Sequence, residues 1–230
     1  PESPVARCDA AHGDTVTALQ CDPATGRLVT SSADRSIALW QLEGGALRRV
    51  ATAADAHDDT ILQLRLDAAT GSLLSAGMDG VLRAWRLEAD ALVPLARAAE
   101  EDSLGILTLQ FDAALGVALS GGRDGCVRSW RFEAGGLRPL SVREQAHDGC
   151  SRAVQADAAS GIVVSATDDG EIRAWRLGDG GFELLASAEE AHADGICALL
   201  YHGASRTVVS AGQDGAVKAW CLDLAGGALR

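Results

Sequence analysis

Residues 72–87 read Ser72-Leu73-Leu74-Ser75-Ala76-Gly77-Met78-Asp79-Gly80-Val81-Leu82-Arg83-Ala84-Trp85-Arg86-Leu87. Two short, largely apolar runs flank Asp79-Gly80. An Asp-Gly pair between such runs is the strongest short hairpin signal, because glycine takes positive φ without steric cost. Ser72–Ala76 and Val81–Leu87 therefore pair as strands. Upstream, Thr60–Leu66 is short, apolar and alternating, as a strand should be, and the turn cluster Asp67-Ala68-Ala69-Thr70-Gly71 joins it to Ser72. Downstream, Glu88-Ala89-Asp90 turns the chain into a weaker outer strand, Ala91–Ala96. One segment of about 45 residues thus holds four antiparallel strands.

That segment occurs five times. Trp40, Trp85, Trp130, Trp175 and Trp220 stand 45 residues apart and are all the tryptophan the chain has. Aspartates precede them at Asp34, Asp79, Asp124, Asp169 and Asp214, and hydroxyl residues at Thr30, Ser75, Ser120, Ser165 and Ser210. Histidines open the copies at His12, His57, His147 and His192, with Asp102 in the third slot. Self-similarity at this period marks a repeat architecture in which each unit buries a face against its neighbours. Four strands per unit is the blade of a β-propeller. Helical repeats of this length would lack an Asp-Gly hairpin in nearly every copy. The expected fold is all-β: one propeller domain over 1–230, with five four-stranded antiparallel blades at 10–54, 55–99, 100–144, 145–189 and 190–230. The first copy has Asp34-Arg35 in place of Asp-Gly. The fifth has HGASR at 202–206 where the others read DPATG, DAATG, DAALG and DAASG, so that loop should differ in shape.

The formal net charge of −12 disfavours the phosphate attraction on which nucleic-acid binding rests and favours basic partners. No apolar run is long enough to span a membrane. The amino end has neither a signal pattern nor an initiator Met, so the chain reads as part of a longer polypeptide. Cys8, Cys21, Cys126, Cys150, Cys197 and Cys221 occupy six different phases of the repeat. No disulfide framework, metal site or cofactor is expected from that scatter. Small buried thiols in a reducing, intracellular and cytoplasmic setting are expected instead.

The four residue types in register resemble the WD-repeat family, and the resemblance covers nearly the whole chain. It implies a hydrogen-bonded chain of His, Ser or Thr, Asp and Trp inside each blade. Indole only donates, hydroxyl and imidazole do both, and carboxylate accepts. His12–Thr30–Asp34–Trp40, His57–Ser75–Asp79–Trp85, His147–Ser165–Asp169–Trp175 and His192–Ser210–Asp214–Trp220 match in full. The third copy has Ser120, Asp124 and Trp130 with Asp102, which is expected to point to solvent and leave that network incomplete. Asp102→His should then raise thermal stability. The Trp-Asp dipeptide of the family is absent: Gln41, Arg86, Arg131, Arg176 and Cys221 follow the tryptophans.

Ser, His and Asp in one constellation invite a hydrolase reading. Their recurrence in every copy and the absence of a nucleophile-elbow sequence argue for a structural role. Acid pairs at Asp58-Asp59, Glu100-Glu101 and Glu189-Glu190 fall in equivalent loops, unlike single acids facing a channel. A noncatalytic protein-interaction scaffold is the leading expectation. A five-bladed propeller enzyme or lectin acting on glycans is the alternative. By position, the resemblance puts partner contacts at Thr15, Thr17 and Ala33; Thr60, Leu62 and Met78; and Gly105, Leu107 and Arg123. The fourth and fifth copies add Cys150, Arg152 and Asp168, then Gly195, Cys197 and Gln213. Acids in the neighbouring loops should steer a basic protein or peptide. Both chain ends share the phase of the outer strand of the fifth blade. Three arrangements follow: a closed five-blade ring closed by the amino end, a ring completed by another chain, or part of a larger ring, with self-association if the ring is incomplete.

Overall fold

A computed structural model describes residues 6–99, 104–112, 115–133 and 136–230. Among these there are twenty strands and no helix. The first blade is β1 (Val16–Asp22), β2 (Arg27–Ser32), β3 (Ile37–Glu43) and β4 (Ala46–Ala53). The second is β5 (Ile61–Asp67), β6 (Ser72–Gly77), β7 (Val81–Leu87) and β8 (Leu92–Ala99). The third is β9 (Ile106–Asp112), β10 (Val117–Gly122), β11 (Val127–Glu133) and β12 (Gly136–Arg143). The fourth is β13 (Ser151–Asp157), β14 (Ile162–Thr167), β15 (Ile172–Gly178) and β16 (Gly181–Ala188). The fifth is β17 (Ile196–His202), β18 (Thr207–Gly212), β19 (Val217–Asp223) and the short β20 (Ala228–Leu229). Each blade is a four-stranded antiparallel meander. The outer strand β8 runs to Ala99, beyond the expected Ala96. A register shift between Ala84 and Trp85 lets β7 and β8 stay paired along their whole length, Trp85 opposite Pro94 and Val81 opposite Ala99.

The chain divides into two compact units, one built on the first two blades and one on the last three. In the first unit, Val29, Ile37 and Leu39 of blade one pack with Ile61, Leu64, Leu73 and Trp85 of blade two. In the second, Leu119 and Val127 of blade three pack with Val154, Val163, Trp175 and Phe182 of blade four. Ile172 and Val164 of blade four meet Ile196, Leu199 and Val208 of blade five. Within each unit, a blade therefore buries its third strand against the inner strands and tryptophan of the next. Because both faces are covered in this way, strict apolar–polar alternation is not required of the strands.

That rule identifies two uncovered faces. Ile37, Leu82, Val127 and Ile172 are fully buried, while Val217 at the same position of blade five is 75% exposed. On blade one, Val16 and Leu19 are exposed where Ile61 and Leu64 of blade two are buried.

The fourth strand of blade five is supplied by the carboxyl end. β20 pairs antiparallel with β19, Leu222 opposite Leu229, and parallel with β16 through Ser187 and Ala228. Of the amino-terminal residues expected to fill this place, 1–5 lie outside the described residues, and Ala6 and Arg7 are in no strand. Turn chemistry explains the loops. Gly26 N–H and Gly161 N–H donate to the carbonyls of Asp22 and Asp157, four residues back, whereas Arg206 N–H donates to Gly203, three residues back. Arg206 itself takes φ +52° in the position that glycine holds in the other copies. The fifth loop is thus tighter, with His202 Nδ1 and Ser205 Oγ 2.7 Å apart where an aspartate otherwise caps the turn. In the first copy Arg35 adopts φ +71°, the hairpin conformation that glycine supplies elsewhere.

Candidate functional site

Five tryptophans define the site's internal framework. Each indole Nε1–H donates to the hydroxyl on the second strand: Trp40 to Thr30, Trp85 to Ser75, Trp130 to Ser120 and Trp175 to Ser165 at 2.8 Å, and Trp220 to Ser210 at 2.9 Å. In four blades that hydroxyl also lies 2.7 Å from a histidine Nε2, on His12, His57, His147 and His192. His57 Nδ1 lies 2.9 Å from Asp79, and His192 Nδ1 2.9 Å from Asp214. A carboxylate only accepts, so Nδ1 carries the proton and Nε2 accepts from the serine O–H. The hydroxyl oxygen in turn accepts from the indole. One neutral imidazole tautomer satisfies the whole chain. A second proton on Nε2 would leave the serine O–H without its acceptor.

The acid at the end of the chain differs between blades, and this corrects two of the expected sets. In blade four His147 Nδ1 meets Glu171 at 2.6 Å, not Asp169, which is exposed and accepts from Thr167 Oγ1 instead. In blade one His12 Nδ1 meets Ser36 Oγ at 2.8 Å, with Asp34 at 3.4 Å. Ser36 passes the link on, donating to Asp34 at 2.6 Å. The deciding position lies two residues after the aspartate. Ser36 and Glu171 are polar there and intercept the imidazole. Val81 and Ala216 are apolar and leave it to Asp79 and Asp214.

A cation column four residues after the aspartate completes the arrangement: Arg83, Arg128, Arg173 and Lys218, with Ala38 in blade one. Arg128 Nη2 donates to Asp124 at 2.6 Å. Arg173 Nη1 and Lys218 Nζ donate to the carbonyls just before their histidines, Ala146 and Ala191, at 2.7 and 2.6 Å. Arg173 Nε also donates to Glu171 at 2.5 Å. Residue-by-residue motif matching misses this column, but the 45-residue period carries it in plain view. Asp102 lies outside the described residues, as do Glu100 and Glu101.

The hydroxyls that resemble nucleophiles are sealed. Ser75, Ser120, Ser165 and Ser210 are buried, and each is held by an indole. Among the described residues, no group of three or more His, Cys, Asp or Glu is arranged to hold a metal ion. No helix among them is long and apolar enough to cross a membrane. The thiols depart from expectation. They are free, but only Cys126 is buried, while Cys8, Cys21, Cys197 and Cys221 are exposed. Cys197 stands at a bulge that turns it out of the sheet.

That bulge recurs. The register between first and second strands skips Thr17, Leu62, Leu107, Arg152 and Cys197, one residue in each blade. A bulge leaves a residue outside the ladder and re-aims its side chain. All five are positions at which the family resemblance implies partner contacts. Flanking them, one backbone hydrogen bond repeats: Ala33 to Thr15, Met78 to Thr60, Arg123 to Gly105, Asp168 to Cys150 and Gln213 to Gly195, at 2.7–3.2 Å. Within each blade the structure therefore brings the three contact positions to one strand end. Thr15, Arg123, Arg152, Asp168, Cys197 and Gln213 are exposed. Thr17, Thr60, Leu62, Met78, Leu107 and Cys150 are partly exposed. Thr17 Oγ1 also donates to the Ile61 carbonyl at 2.5 Å, tying the bulge of blade one to blade two.

Asp34, Asp79, Asp124 and Asp214 are held ionised. Burial raises the Asp34 carboxyl, but hydrogen bonds from Ser36 and Gly13 outweigh it and bring the group to about 2. The His192 hydrogen bond and the backbone N–H of Ala216 bring Asp214 to about 2 as well. Burial pushes the His147 imidazole below its ordinary 6.5 despite Glu171. The unfolded chain therefore binds a proton at this site that the folded protein refuses. The His147 contribution to stability is present above pH 6.5 and falls away as the pH drops below it. The carboxylate contributions are present above about 3.8 and are lost as the pH falls toward 2. Urea midpoints at pH 7.5 and 5.5 should show a lower value at 5.5. His147→Gln should flatten that slope, and an unchanged slope would contradict the assignment.

Two stretches of the chain, residues 3–41 and 183–221, match the family described as "WD domain, G-beta repeat". They start 180 residues apart (183 minus 3), four periods of 45, so both matches fall in one register. The curated proteins yield no match. Among solved structures, the chain is similar to the crystal structure of the WD40 β-propeller domain of Doa1. Identity is 19% and the TM-score 0.76, over 95% of this chain and 68% of that one. With the blade framework, the matched repeats and the propeller neighbour in agreement, the chain carries WD repeats and has the fold of a WD40 β-propeller.

Proposed function

We propose that this protein is a noncatalytic interaction scaffold whose partner docks on the strand ends carrying the bulges. The observation that carries this reading is the coincidence, in all five blades, of the bulge residue with the expected contact position. The residues that resemble a hydrolase support it from the other side, since they are buried and engaged in holding hairpins. WD40 propellers serve protein interaction generally, which agrees with this division.

The partner in this reading is a basic protein or peptide. Asp55, Asp58 and Asp59 are exposed in the loops of the first unit, and Glu144, Asp148, Glu189, Glu190 and Asp194 in those of the second. They outnumber the exposed Arg123 and Arg152, and acids so placed speed encounter with a cation more than they add affinity. The five repeats act as one propeller domain inside the cell, as part of a larger ring. Exposed Val217, Val16 and Leu19 support further blades covering those faces, and an uncovered apolar face of this kind otherwise drives self-association. A peptide array with matched basic and acidic sequences tests the reading. Basic peptides should bind, and binding should weaken as salt rises from about 50 to 200 mM. Preference for acidic peptides, salt-independent binding, or turnover of a glycan or ester substrate would contradict it.

A further inference from the structure

We propose a second binding site at the opposite strand ends, between blades three and four, for a peptide presenting one large apolar side chain beside a Lys or Arg. A cleft of about 250 Å³ opens there, lined by Phe111, Leu115, Val117, Ala156, Ile162 and Leu177, with Asp112 and Asp157 among its walls. Ligand sites for whole small molecules run to roughly 300–1,000 Å³. This cleft suits a single side chain. It lies at the end of β9 and the start of β10, away from the bulges.

The repeat itself shows what makes the cleft. At the position of Ala156 in the neighbouring interfaces stand Leu66 in blade two and Tyr201 in blade five. Leu66 packs against the core of the first unit and Tyr201 is buried in that of the second. Ala156 leaves that volume open. At the position of Leu115 the other copies carry hydroxyls: Thr25, Thr70, Ser160 and Ser205. Thr25 Oγ1 and Thr70 Oγ1 donate to the turn aspartates Asp22 and Asp67. Leu115 gives Asp112 only its backbone N–H, at 3.1 Å, and stands 49% exposed. Two departures in adjacent blades thus meet at one place, one removing bulk and the other exposing a large apolar side chain.

The aromatic wall is firm. Phe111 stacks edge-on against Phe132 at 6.0 Å between centroids. Asp112 and Asp157, both part-exposed, complement a cation beside the apolar group. The nearby Arg131 Nη1 is engaged by the Leu115 carbonyl at 3.0 Å and lies 3.5 Å from Glu133, so the positive charge at this edge is already compensated.

The test is a fluorescence titration of the intact chain with labelled Ala-Ala-Phe-Arg-Ala-Ala amide. Saturable binding below about 1 mM is expected. Replacing the peptide's Phe by Ala, or its Arg by Glu, should weaken it at least about tenfold. In the protein, Ala156→Leu and Leu115→Thr should do the same while leaving the melting temperature unchanged or raised, since each installs a residue another blade carries. Absence of saturable binding by folded protein, or equal binding by Ala156→Leu, overturns the proposal. Loss in Leu62→Ala but not in the cleft variants moves the peptide to the bulge edge and overturns it equally. A dimer in light scattering that Leu115→Thr dissolves makes the occupant a second copy, again against the proposal.

Discussion

Trp175→Ala is expected to lower the unfolding free energy by about 3–5 kcal/mol, the range for deleting a fully buried large aromatic side chain. Trp175 has no exposed surface. It packs with Leu119, Val127 and Val154, stands edge-on to His147 at 6.2 Å, and carries Arg143 over its ring at 5.5 Å. Its removal leaves a cavity between two blades and takes the donor from Ser165. Trp220→Ala is the internal control. That tryptophan makes the same hydrogen bond to Ser210 but is partly exposed and belongs to the blade with the shortest outer strand. Its loss should cost clearly less. Urea denaturation of both variants decides the matter, and equal losses would mean that burial between blades does not set the contribution.

Ser165→Ala should cost about 2–4 kcal/mol although it removes a single oxygen. That oxygen sits between Trp175 Nε1 at 2.8 Å and His147 Nε2 at 2.7 Å, both without access to water. Without it two buried polar groups lose their partner, at roughly 1–3 kcal/mol each. Pairing Ser165→Ala with Trp175→Phe separates the two halves. The double variant should be less unstable than the sum of the singles, because the indole N–H can be orphaned only once. Strict additivity would show that the hydroxyl and indole do not act together.

The four-strand unit and the hydroxyl–indole bond were legible because each depends on residues that recur in phase. The acid facing each histidine was not. Asp169 and Glu171 are two residues apart, both acidic, and which one reaches His147 depends on side-chain length and on where Arg173 is anchored. Ser36 against Asp34 is the same competition in blade one. The bulges left no mark in composition, since Thr17, Leu62, Leu107, Arg152 and Cys197 share no chemistry. They share only a backbone position. Exposure of Cys197 follows from that backbone geometry as well, and so escaped a reading based on residue type.

The phase of the repeat also turns departures into information. Leu115 and Arg35 stand where the sister blades agree on a hydroxyl and on glycine, and Ala156 and Glu171 carry residues no other blade has at their positions. Two of them alter the internal network or a hairpin, and two open a cleft.

The central claim is that the bulge edge is the docking surface. Isothermal titration of the tightest-binding basic peptide against wild type, Leu62→Ala, Leu107→Ala and Leu115→Thr tests it most directly. The bulge variants should lose at least about tenfold in affinity, near 1.4 kcal/mol, with unfolding unchanged, while Leu115→Thr binds as wild type. Undiminished binding by both bulge variants would contradict the account.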